Sequence, residues 1–89
     1  MGLDDDIEKN VIYSCENDNK FIMSYLNSSN QYRVIDNTIP GFTNLKFDKN
    51  NKRIYLWNTI GQLFIYLTEK DIPICVKKIN THTKIYKNA

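Results

Sequence analysis

Apolar and polar residues alternate with a period of two along most of the chain, as in extended strands whose two faces differ. Val11, Tyr13 and Cys15 share one face of a first run. Phe21, Met23 and Tyr25 alternate with Ile22, Ser24 and Leu26 in a second, and Tyr32 and Val34 flank Arg33 in a third. Leu45 and Phe47 flank Lys46, Ile54 and Leu56 alternate with Tyr55 and Trp57, and Leu63, Ile65 and Leu67 alternate with Phe64 and Tyr66. Two further runs cover residues 72–78 and 83–86. Short runs rich in Ile, Val, Tyr and Phe predict strands.

Clusters of turn-forming residues separate these runs. They are Asn17-Asp18-Asn19-Lys20, Ser28-Ser29-Asn30, residues 48–52 and residues 58–61. Asn and Asp tolerate the left-handed backbone that tight turns need, and they stand in for scarce glycine. Ile39-Pro40-Gly41 is the clearest break, and it divides a first strand group, 11–36, from a second, 44–86. Pro73 predicts the start or the edge of a strand. Only residues 4–10 and a turn at 68–71 are candidates for helix. The predicted fold class is all-β: a small antiparallel meander of six to eight short strands, forming a compact barrel or a two-sheet sandwich, with at most a short N-terminal helix.

Residues 41–79 contain Phe42-Thr43-Asn44-Leu45-Lys46-Phe47-Asp48, Lys52-Arg53-Ile54-Tyr55-Leu56-Trp57 and Gln62-Leu63-Phe64-Ile65-Tyr66-Leu67. This stretch resembles one four-stranded β-propeller blade and implies a four-stranded meander. It carries no signature dipeptide, and propellers typically combine at least four such blades.

The chain has 89 residues, which sets one small domain over 1–89 with an acidic segment at 1–10. It is too short for a doubly wound nucleotide-binding fold. Asn (12), Ile (12) and Lys (10) are abundant while Gly (3), Pro (2) and Arg (2) are scarce, a bias that points to an AT-rich genome. Codon bias therefore supplies many of the lysines. The charges are nonetheless segregated. Residues 1–20 hold six acidic side chains against Lys9 and Lys20, net −4, whereas residues 46–89 hold nine basic against three acidic, net +6. Such asymmetry points to a polyanionic partner or to attraction between the two halves.

Candidate chemistry is sparse. Glycines stand only at 2, 41 and 61, so no phosphate-cradling loop exists. His82 is the single histidine, and Cys15 and Cys75 lie far apart in apolar runs, which predicts buried free thiols in a reducing compartment. Asp4-Asp5-Asp6 lacks the spaced ligands of a calcium loop. The sequence thus predicts no catalytic residue, no metal site and no cofactor. No run approaches the ~20 apolar residues of a membrane span, and no secretory signal opens the chain, so an intracellular, cytoplasmic protein without membrane contact is expected.

The hairpin 53–67 is apolar on both faces, whereas a strand with one solvated face alternates apolar and polar residues. Ile54, Leu56, Leu63, Ile65 and Leu67 are the expected core set, because branched aliphatics fill interiors without polar atoms. Tyr55, Trp57, Phe64 and Tyr66 are then the expected partner-binding face, for protein or for stacked bases, the alternative being a hairpin central in a sandwich with this face covered by the 11–36 strands or the N-terminal segment. Lys52, Arg53, Lys77, Lys78, Lys84 and Lys87 are the expected basic contacts, able to neutralise an RNA backbone through residues 46–89. The function expected is that of a non-enzymatic small subunit or accessory factor docked in a larger assembly, such as a ribonucleoprotein like the ribosome. Two alternatives stand beside it: a protein-binding inhibitor of a host machine, of viral or phage type, and a homo-oligomeric structural protein pairing strand edges.

Overall fold

The structure is a computed structural model, and it describes residues 2–15, 20–28, 31–39 and 43–80. Eight strands follow in order: β1 (Gly2–Asp6), β2 (Val11–Cys15), β3 (Phe21–Tyr25), β4 (Tyr32–Asp36), β5 (Thr43–Asp48), β6 (Arg53–Asn58), β7 (Gln62–Leu67) and β8 (Ile74–Asn80). They form two antiparallel four-stranded meanders, β1-β2-β3-β4 and β5-β6-β7-β8. The all-β expectation holds, in its two-sheet form.

Residues 4–10, the only candidate for an N-terminal helix, are instead the end of β1 and a tight turn. Three aspartates are poor strand formers. Pairing overrides that preference: β1 lies in register with β2, from Gly2 opposite Cys15 to Asp6 opposite Val11. The last predicted strand in the described region begins at Ile74 rather than Ile72, just after the buried Pro73. The run at 83–86 and His82 lie outside the described residues.

The inner faces of the two sheets enclose one core. Val11, Tyr13, Cys15, Phe21 and Met23 meet Leu45, Phe47, Ile54, Leu56, Phe64 and Tyr66, and Ile39 seals one margin. Ring pairs span the layers, with Tyr13 and Phe47 at 5.5 Å and Phe21 and Tyr66 at 4.9 Å between centroids. Such tilted and edge-on geometries suit the aromatic quadrupole.

This core corrects the expected faces of the 53–67 hairpin. Ile54 lies opposite Tyr66 and Leu56 opposite Phe64, so Phe64 and Tyr66 point inward with the two aliphatics. Leu63, Ile65 and Leu67 share the outer face with Tyr55 and Trp57. The cause is the three-residue connection Thr59-Ile60-Gly61, in which Gly61 takes φ 90°. An odd connection places residues of like parity on one face; an even one would have grouped the residues as expected. Asn58 locks the turn, its side-chain carbonyl accepting the Gln62 N–H at 2.9 Å.

The two sheets are also copies of one unit. Each position in β1–β3 has a counterpart 42 residues later in β5–β7. Asn10 and Lys52 both take a left-handed φ, 56° and 53°. Asp6 accepts the Lys9 N–H at 3.3 Å, and Asp48 accepts the Asn51 N–H at 3.2 Å. Leu26 N–H reaches Asn10 O at 2.9 Å, and Thr68 N–H reaches Lys52 O at 3.0 Å. The registers repeat too: Asp6 faces Val11 as Asp48 faces Arg53, and Val11 faces Tyr25 as Arg53 faces Leu67. Only the fourth strand departs, since Ser24 faces Tyr32 whereas Tyr66 faces Cys75, one residue further on. The blade-like meander resembled by residues 41–79 therefore describes the first half as well.

Candidate interaction surface

Tyr55 and Trp57 are held on the outer face of β6 by the ladders on either side. Tyr55 lies opposite Lys46 of β5 and Ile65 of β7; Trp57 lies opposite Asn44 and Leu63. All of these outer hydrophobics are half-buried by their neighbours rather than enclosed. The Trp57 indole N–H is covered and has no hydrogen-bond partner among the described residues. On β8 the patch continues into Ile74, opposite Leu67, and Ile79, opposite Leu63. The four expected aromatics thus do not form one face: Tyr55 and Trp57 line this surface, while Phe64 and Tyr66 belong to the core.

The expected basic residues are also divided. Arg53 and Lys77 are exposed at the borders of the outer patch, opposite Leu67 and Ile65. Lys52 instead pairs with Glu8 at 3.5 Å, a contact between exposed side chains that contributes little to stability. Lys78 sits 5.4 Å over the Phe64 ring and beside Asp36, on the inner side of β8. Lys84 and Lys87 lie outside the described residues.

Lys9 has a role that composition does not reveal. Its ammonium donates to the carbonyls of Thr68 and Lys70, at 2.7 Å for the latter, and so ties the β7–β8 connection to the first sheet. Two of the three aspartates are equally structural. Asp4 accepts the Phe47 N–H at 2.9 Å, and Asp6 is buried against its own turn. Cys15 is buried as expected, but Cys75 is exposed on the edge strand β8, which corrects its assignment to the interior. Neither forms a disulfide, and the Cys15 thiol donates to the Gly2 carbonyl at 3.6 Å.

The first sheet has an outer face of its own, and it is more mixed. Leu3 and Asp5 on β1, Ile12 and Ser14 on β2, and Ile22 and Ser24 on β3 form its rows. Leu3 is 70% exposed. Among the described residues no group of His, Cys, Asp and Glu is arranged to hold a metal ion, and no helix is long and apolar enough to cross a membrane. Comparison with protein-family models, with curated proteins and with solved structures finds no match for this chain.

Proposed function

We propose that this protein is a non-catalytic assembly subunit that binds another polypeptide through the outer face of β5–β8. One observation carries the reading. Tyr55, Trp57, Leu63, Ile65 and Leu67 form a contiguous apolar patch on a face that would alternate with polar residues if water were its only neighbour. Tyr and Trp join a large apolar body to a polar handle, which favours them at interfaces. The rim of Lys46, Arg53 and Lys77 supplies charge that selects and orients the partner.

Aliphatic residues dominate this patch, and that favours protein over RNA. A base-stacking platform needs aromatics with cations along the strand path, and here only Tyr55 and Trp57 qualify. The test is the native mass of the protein purified from its source, before and after nuclease treatment. A complex that survives nuclease and high salt, and that is lost in Ile74→Glu, supports the proposal. A complex dissolved by nuclease, with affinity falling steeply in salt, assigns the face to RNA and overturns it.

A further inference from the structure

The 42-residue repeat identifies what covers the outer patch. On the first sheet Tyr13, Cys15, Phe21 and Met23 are enclosed by the second sheet. Their counterparts on the second sheet are Tyr55, Trp57, Leu63 and Ile65, equally apolar and uncovered. The reverse relation also holds. Leu45, Ile54 and Phe64 form the core side of the second sheet, and their counterparts Leu3, Ile12 and Ile22 form the outer side of the first. The molecule is therefore two successive members of a stack. One stacking contact is made inside the chain, and both halves of a second contact are left on its two outer surfaces.

We propose, building on the docking reading above, that the partner is a second copy of this chain. The outer face of β5–β8 in one copy stacks on the outer face of β1–β4 in the next. This contact is head-to-tail, and such contacts close into rings when the rotation between neighbours permits. Four-stranded meanders stacked face to face close as propellers of four to eight sheets, so the ring contains two to four copies. Within the chain β1 already runs beside β5, with the Gly2 backbone against the Leu45 amide, which is the contact expected of innermost strands around an axis.

Charge selects the pairing. Among the described strand residues, the outer face of β1–β4 carries Asp5, and the outer face of β5–β8 carries Lys46, Arg53 and Lys77 against Asp48. First-on-second stacking brings opposite charges together, whereas first-on-first or second-on-second stacking brings like charges together, which disfavours the face-to-face dimers. The outer face of the first sheet has Asp5, Ser14 and Ser24 where the core face of the second has Phe47, Leu56 and Tyr66. The contact between copies is accordingly less apolar than the one within a chain, and it forms at higher concentration.

The experiment is the solution mass of the purified, nuclease-treated full chain, measured by light scattering and native mass spectrometry across the micromolar range. The expected result is two to four times the 10.5 kDa of one chain. Leu3→Lys and Ile74→Glu change exposed residues on the two outer faces, so each variant should fold, with an unchanged circular dichroism spectrum, yet stay monomeric. Mixing the two variants should give an open dimer and nothing larger, because the pair retains one intact first-sheet face and one intact second-sheet face and so makes a single contact. A monomeric wild type overturns the ring. So does a Leu3→Lys variant that still dimerises by itself, which would show second-on-second pairing. Either failure leaves the docking reading to its own test, since a monomer that nevertheless enters a nuclease-resistant complex at its source has a different partner.

Discussion

The Tyr66 hydroxyl donates to the Asp36 carboxylate across 3.1 Å and ties β7 of one sheet to the end of β4 in the other. Asp36 also accepts from the Thr38 amide and hydroxyl at 2.7 and 2.6 Å. Burial alone would raise the Asp36 carboxyl. The Thr38 bonds, the Tyr66 bond and the charge of Lys78 outweigh it and hold the carboxyl below its ordinary value. Tyr66 moves the other way: burial first, then the Asp36 charge, raises its hydroxyl well above the usual tyrosine range. Burial, with the Asp6 charge, pushes Tyr13 up to about 12.

These shifts set both ends of the stability profile. A carboxyl with a depressed folded value contributes stability above its unfolded value of about 3.9, and that contribution is lost as pH falls through the folded value. A tyrosine with a raised folded value contributes fully below about 10, and the contribution is lost as pH rises through the folded value. Thermal midpoints should therefore fall below about pH 4 and above about pH 10. Tyr66→Phe should flatten the acid limb. Absorbance titration should show Tyr13 and Tyr66 ionising only together with unfolding; smooth ionisation of every tyrosine in the folded protein would contradict the assignment.

The assignment of hairpin faces predicts a contrast between two isoleucines. Ile54 is 0% exposed beneath Tyr66, whereas Ile65 is half-buried on the outer face. Ile54→Ala should cost about 2–5 kcal/mol, the range for emptying a core site. Ile65→Ala should cost less than half as much in the isolated chain, because it leaves no enclosed cavity. Urea unfolding of the two variants decides the matter, and equal losses would place both residues in the core.

The positions of β2 to β8 were legible because period-two alternation and turn-forming residues between the runs are local signals. Which face meets the core was not legible in this way. It depends on whether the 59–61 connection is odd or even, so one misplaced residue exchanges Phe64 and Tyr66 with Leu63 and Ile65. β1 was hidden because Asp4, Asp5 and Asp6 carry no strand preference, and it is their partners Tyr13, Ile12 and Val11 on β2, with Phe47 on β5, that hold them extended. The repeat was faint for a related reason. In the aligned strands Leu3 and Leu45, Asp6 and Asp48, Ile12 and Ile54, and Tyr13 and Tyr55 are identical, yet Val11 answers to Arg53 and Cys15 to Trp57. Backbone hydrogen bonds and the left-handed Asn10 and Lys52 preserve what the side chains have lost.

The two cysteines should differ sharply in reactivity. Cys15 is 1% exposed, and burial raises its thiol above the ordinary range, so little of it is the reactive thiolate. Cys75 is exposed at the edge of the second sheet. Iodoacetamide at neutral pH should modify one thiol per chain quickly, at Cys75 by peptide mapping. Cys15 should react only under unfolding conditions. Fast modification of both thiols in the native protein would show that the layer over Cys15 is open.

The seam between β1 and β5 predicts an effect of a single methyl group. A Cβ at position 2 would lie 2.4 Å from the Leu45 amide nitrogen and 2.7 Å from the Asn44 side-chain oxygen. Backbone cannot yield there cheaply, because Leu45 is fixed opposite Leu56 and faces the core. Gly2→Ala must therefore part the two strands. That motion pulls on the Asp4 bond to Phe47 N–H and on the Gly2 amide's contact with the Cys15 sulfur at 3.1 Å. The expected cost is about 1–3 kcal/mol, typical of an overpacked site. It should appear as a lower urea midpoint together with faster alkylation of Cys15, since the gap opens over that thiol. A Gly2→Ala protein with wild-type stability and a protected Cys15 would mean that β1 does not press on β5 at this point.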